Sequence, residues 1–268
     1  MPAPVSPLGR TSKRLNRMSR TWRVCFGLAV ALVAPQAGSA SSWAAARRPP
    51  PAAVGATFVA TIARDATGWT PTPVFAHLDG SPPSTYLGKA GGPPPVVLVI
   101  EPASDGWAHV LLPQRSSANS AGPAEGWMST DGLSLVRTEY HLDIHLSQHR
   151  LDVTHNGSVI RRMTAATGMP DTPTPVLNTY IVAIAKPVES QGQNGPLGPF
   201  TLHLAAWSTV LSSYAADASW DGLIIQGTDC PTTCLGRAVT HGSVRVSNDN
   251  IIWLASHLPV GTPVRTLQ

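Results

Sequence analysis

Near the C-terminus a histidine and a serine stand two residues apart, in Thr240-His241-Gly242-Ser243-Val244-Arg245. A serine hydroxyl attacks a carbonyl only when a base takes its proton, so the pair matters more than the serine alone. In an extended segment residues i and i+2 share a face, which predicts that His241 and Ser243 meet as a Ser–His dyad. Upstream, Ile225-Gln226-Gly227-Thr228 approaches the same loop with an amide, and a glutamine cannot accept a proton at neutral pH. Between the two segments lie Cys230 and Cys234, separated by Pro231-Thr232-Thr233. If the chain is exported, these two cysteines most simply form one disulfide, with free thiols as the alternative. Zinc needs about four ligands, and C-x3-C with His241 nearby supplies too few. The histidines at 141, 145, 149 and 155 have no partner at a ligand spacing, and they read as exposed polar positions on a strand and its turn.

These residues need a scaffold of short strands. The chain has 268 residues with 26 prolines and 23 glycines, which favours turns over long helices. His141-Leu142-Asp143-Ile144-His145-Leu146 alternates strictly, so Leu142, Ile144 and Leu146 face a core. Leu151–Thr154, then Asn156-Gly157, then Val159-Ile160 reads as a hairpin with Asn-Gly at its turn. One helix is predicted over Asn250–Leu258, with Ile251, Ile252, Leu254, Ala255 and Leu258 on its apolar face. Ser247 or Asn248 would cap it and Pro259 would stop it, and Val260–Leu267 would follow as a closing strand. In the first half, Thr57–Ile62 and Val96–Ile100 are strand runs. Gly106–Pro113 and Gly126–Met128 read as paired edge strands joined by a Ser/Asn/Gly loop. The fold class is mainly β.

Three segments of the second half resemble one family, the L,D-transpeptidases. Ala166-Thr167-Gly168-Met169-Pro170-Asp171-Thr172-Pro173-Thr174-Pro175 resembles the Thr-Gly…Thr-Pro-Thr-Pro turn before their catalytic sheet. Gly195-Pro196-Leu197-Gly198-Pro199-Phe200 resembles the stretch before their substrate lid. The segments around Gln226 and Ser243 resemble Ile-His-Gly-Thr and Ser/Thr-His-Gly-Cys-x-Arg-x-x-Asn, and Gly261-Thr262-Pro263-Val264 matches the close. The resemblance covers about 130 residues. It implies a β-sandwich or barrel with a short C-terminal helix, and acyl transfer on peptidoglycan stem peptides through a cysteine thioester. It assigns Ser243 to the nucleophile position, Gln226 to that of the activating histidine, and His241 to the motif histidine. Gly227, Thr228, Gly242, Arg245 and Asn248 take the support positions. No cofactor or metal is implied. The cysteine and the histidine of the family are both replaced here, so the alternative is an inactive peptidoglycan-binding or scaffolding module.

Residues 57–137 carry a Gly-Trp cadence similar to the Src-homology-3-like barrels that accompany wall enzymes. The sequence pI of 9.3 would suit a nucleic-acid partner, but six of the 19 basic residues lie in the first 23 positions with no acidic residue among them. They precede the apolar run Val24–Ala34 and then Gly38-Ser39-Ala40, the order of a secretory signal. That run is too short to cross about 30 Å of hydrocarbon. Without those six, 13 basic residues face 15 acidic ones, a net charge of −2, and the nucleic-acid reading fails. The expected organisation is a signal peptide at 1–40, a Pro-rich linker at 41–56, the SH3-like domain at 57–137 and the transpeptidase-like domain at 138–268. The protein is expected in the cell envelope or outside it, with no membrane span after cleavage.

Overall fold

A computed structural model describes residues 58–62, 71–88, 95–101, 105–131, 133–187, 195–211 and 220–268. The expected signal segment and linker lie outside the described residues. Five strands of the first half are β1 (Phe58–Ile62), β4 (Val96–Glu101), β5 (Trp107–Arg115), β6 (Pro123–Ser129) and β7 (Leu133–Arg137). They form one antiparallel sheet in the order β6-β5-β4-β1-β7, and β2 (Thr72–Val74) pairs with β3 (Thr85–Leu87) beside it. The expectation of two paired edge strands is half corrected. β6 is an edge, but β5 is interior, because β4 takes its other side.

The continuous apolar run of β4 has a physical cause. Val97 and Val99 enter the core of the first sheet with Val110, Leu112 and Met128. Leu98, on the opposite face, joins Leu111, Tyr180, Ala205 and Trp207 in a second cluster. A strand covered on both faces has no polar side to alternate with. The second cluster ties the two halves together. Tyr180 donates its hydroxyl to the Val96 carbonyl at 3.2 Å, and burial holds the phenol far toward its neutral form.

The second sheet has eight strands in the order β10-β9-β8-β17-β12-β13-β14-β16. They are β8 (Tyr140–His145), β9 (Arg150–His155), β10 (Ser158–Thr164), β12 (Asn178–Ala185), β13 (Thr201–Leu204), β14 (Ile224–Gln226), β16 (Val244–Arg245) and β17 (Pro263–Leu267). Asn156 and Gly157 both take positive φ, 47° and 82°, as a two-residue hairpin turn requires. Leu142, Ile144, Leu151, Val153, Ile181, Leu202 and Ile225 are fully buried in its core. α2 (Asn248–His257) covers that core, capped by the Ser247 hydroxyl on the Asn250 N–H.

Two expectations about polarity fail. Ile252 is 44% exposed, because the inward stripe of α2 is Ile251 and Leu254, continued by Leu258 just past its end, with Ala255 packed partly against the same core. The four histidines are half-buried, each with a polar side chain close to its ring, and not simply exposed. His141 pairs with Asp143 at 3.4 Å, His145 with the buried Asp152 at 3.5 Å, and His155 with Glu139 at 3.2 Å. His149 Nδ1 lies 3.0 Å from the Thr167 hydroxyl. No helix among the described residues is long and apolar enough to cross a membrane.

Candidate active site

Alternation along three adjacent strands sets the site. Leu202, Leu204, Ile225 and Val244 point into the core, so Thr201, His203, Ile224, Gln226, Ser243 and Arg245 share the other face. Thr201 is registered with Gln226, His203 with Ile224, and Gln226 with Arg245. The peptide planes at the end of this face are fixed by hydroxyls from the Thr-Pro-Thr-Pro turn. Thr172 donates to the Thr240 carbonyl at 3.2 Å, and Thr174 donates to the Gly242 carbonyl at 2.7 Å. Thr174 accepts the Gly168 N–H at 2.9 Å, and Met169 N–H reaches the Thr240 carbonyl at 2.8 Å. A short strand, β11 (Thr167–Gly168), runs parallel to β15 (Ala238–Thr240) and completes the grip.

Asn248 holds the other side. Its Oδ1 accepts the Thr228 N–H at 2.9 Å. A Cβ on Gly227 would stand 2.4 Å from that oxygen and 2.9 Å from Gly198 Cα, so both glycines are needed for the backbones to meet. Gly198 has φ of 68°, and the Gly227 N–H donates to the Leu197 carbonyl at 2.9 Å. These contacts bring Gly195–Phe200, Gln226–Thr228 and the start of α2 to one place.

The structure does not join the expected dyad. Ser243 is buried, at 5% exposure, and its hydroxyl accepts the Ile224 N–H at 3.3 Å. His241 is exposed and forms no hydrogen bond or ion pair with any described residue. The i, i+2 rule fails because Gly242 lies between them at φ 111°, outside the extended region that rule assumes. Gln226 is buried, and its amide N–H donates to the Pro196 carbonyl at 2.9 Å and, more weakly, to the Gly227 carbonyl at 3.4 Å. An imidazole N–H suits the Pro196 bond equally well and leaves a second nitrogen as a base; the amide keeps the donor and lacks the base.

Cys230 and Cys234 are bonded as a disulfide with Cα atoms 5.5 Å apart, at the start and end of a helical turn, α1 (Pro231–Cys234), that the sequence reading did not include. Arg245 reaches the Cys230 sulfur rather than Ser243, with Nη1 to Sγ at 3.6 Å. One buried group escaped the sequence reading. His203 stacks on Trp220 with ring centres 5.6 Å apart, and its Nε2 is 3.2 Å from the Thr201 hydroxyl. The alternation Thr-Leu-His-Leu was the available signal, since it puts His203 on the face of Gln226. No group of three or more His, Cys, Asp or Glu able to hold a metal ion occurs among the described residues.

Residues 139–265 match the YkuD family, the L,D-transpeptidase catalytic domain. L,D-transpeptidase 1 of Mycobacterium tuberculosis is 28% identical over 125 residues, which cover 46% of this chain and 48% of that protein. Putative L,D-transpeptidase YkuD of Bacillus subtilis is 30% identical over 125 residues, covering 47% of this chain and 64% of that protein. The chain therefore spans about half to two thirds of the length of these relatives. Among solved structures, an L,D-transpeptidase from Mycobacterium smegmatis superposes with a TM-score of 0.41 at 20% identity, over 65% of this chain and 91% of that one.

Proposed function

We propose that this protein is an exported, wall-associated member of the family that binds peptidoglycan stem peptides at the Gln226–Ser243 face without efficient acyl transfer. The observation that carries the reading is the absence of any base, among the described residues, within hydrogen-bond reach of the Ser243 hydroxyl. Acyl transfer that forms cross-links needs a nucleophile deprotonated in place. Here the hydroxyl meets only an amide N–H, the position of the activating histidine holds Gln226, and His241 turns to solvent. The frame around them is intact, with Asn248, Gly198, Gly227, Thr172 and Thr174 all engaged. That supports a groove kept for recognition. The first sheet would act as an SH3-like auxiliary module, and the basic leader would direct export.

The test uses purified disaccharide-tetrapeptide and isolated sacculi. The expected result is no D-alanine release by mass spectrometry, together with retention on sacculi that survives Ser243→Ala. Release of D-alanine that disappears in Ser243→Ala would instead establish a serine-based transferase.

A further inference from the structure

We infer that Cys230 is a reactive thiolate site, unmasked from its disulfide with Cys234 by a dithiol reductant and stabilised by Arg245 and Thr228. The inference does not depend on what Ser243 does. Thr228 is buried, at 1% exposure, and its hydroxyl oxygen accepts the Cys230 N–H at 3.1 Å. The same oxygen lies 3.2 Å from the Cys230 sulfur, so its own proton points at that sulfur. Arg245 Nη1 donates to the sulfur from the other side at 3.6 Å. Two donors thus converge on a disulfide sulfur, which is a weak acceptor.

The charge is equally mismatched. Arg245 is half-buried, its Nε is buried without a hydrogen-bond partner, and no carboxylate among the described residues pairs with it. Its backbone is locked to Ala166 by two bonds of 2.8 and 3.0 Å, which keeps its side chain beside the loop. A cation in such a place ordinarily has an anion. A Cys230 thiolate supplies one, and it is a far stronger acceptor for both donors than the disulfide is. The other charged neighbours in the chain, Asp229 and Arg237, are exposed and have no bond to the sulfur.

The exchange then has a direction. The reductant's thiolate attacks Cys234 Sγ, the S–S bond breaks, and the electron pair leaves on Cys230 Sγ beside Arg245. The reductant's second thiol loses a proton and attacks its own sulfur in the mixed disulfide, which expels Cys234 as a thiolate that takes up a proton. The dithiol ends as a disulfide, Cys234 as a thiol and Cys230 as a thiolate, and the only net proton released is the one lost in forming the attacking thiolate. An acyl donor or an oxidant in the envelope would meet Cys230 first.

The experiment is reduction of the full chain with dithiothreitol, removal of reductant, and pulsed iodoacetamide labelling across pH 5 to 9, read by peptide mass spectrometry at each cysteine. Cys230 is expected to label with a midpoint below the ordinary thiol value near 8.5, and Cys234 near that value. A midpoint one unit lower gives Cys230 roughly tenfold more thiolate than an ordinary cysteine at pH 7. Arg245→Met should return Cys230 to the ordinary range and slow disulfide reduction several-fold, and Arg245→Lys should retain part of the shift. Should Arg245→Met not fold, Cys234→Ser leaves Arg245 in place and gives the Cys230 midpoint directly. Equal midpoints for the two cysteines, or an ordinary midpoint in Cys234→Ser, would overturn the inference and leave a structural staple.

Discussion

The frame of the site and its reacting centre sit within a few residues of each other, yet they are built to different standards. In the frame, Thr174 joins Gly168 to Gly242, and Asn248 joins Thr228 to two glycines that tolerate no Cβ. At the centre, Ser243 has one 3.3 Å bond from an amide, His241 has none, and Gln226 is spent on backbone carbonyls. Frame residues act through shape and backbone bonding, so they remain useful to a protein that only binds. A base and a nucleophile are useful only to one that turns over. The proposed binding role accounts for this contrast, since it keeps the frame in use and leaves the centre without a task.

The largest effect should come from repairing the centre alone. If the frame is intact, Ser243→Cys combined with Gln226→His should raise D-alanine release by at least about 10²-fold over the parent, the usual scale of a positioned base. Continued silence in a double variant that still binds sacculi would mean the groove has drifted too. Damaging the frame comes next. Gly227→Ala drives a Cβ to 2.4 Å from Asn248 Oδ1, and it should cost about 1–3 kcal/mol in urea unfolding. A cost near zero would show that the frame is looser than its contacts.

Much of this frame was legible before any coordinates, and the reasons are specific. The alternation at His141–Leu146, the Asn-Gly turn and a helix cap at Ser247 or Asn248 are local signals, and the structure puts the cap at Ser247. The resemblance assigned Gln226, Ser243 and Arg245 to one site, and in the sheet Gln226 is registered with Arg245. What failed depended on a single dihedral or on a distant partner. Gly242 at φ 111° undid the dyad. His145 found its carboxylate on β9, and Arg245 found a sulfur in the intervening loop. The interior position of β5 followed from its pairing with β4, which no local pattern reveals.

Acid should weaken the protein through a group remote from both regions. Burial holds His141 below its ordinary value of 6.5, and Arg265 lowers it further, while Asp143 opposes both. Asp143 is already engaged by Arg265 at 2.8 and 2.9 Å, which limits that opposition. The unfolded chain then binds a proton on His141 more readily than the folded one. The contribution is complete above pH 6.5 and is lost as pH falls from there through the lower folded value. The Tm of the parent should therefore drop more steeply below pH 6.5 than that of His141→Gln. Parallel curves would remove His141 from the account. Comparisons of frame and centre belong above this window.

The smallest effects give the sharpest test, because they set one hydroxyl against another. Thr174→Val removes two backbone bonds, one to the half-buried Gly168 N–H and one to the buried Gly242 carbonyl, and should cost about 1–3 kcal/mol. Ser243→Ala removes one long bond and strands only the Ile224 N–H, so its cost should be about 0.5–1 kcal/mol. The ordering matters more than either value, since both positions are buried and both lose a hydroxyl. A Ser243→Ala protein destabilised more than Thr174→Val would mean that Ser243 had become part of the frame. A Ser243→Ala protein more stable than the parent would point the other way, to a residue held at some cost in stability, as functional groups are. The expected middle outcome identifies Ser243 as a filler of the nucleophile's place, small enough to fit and bonded just well enough to stay.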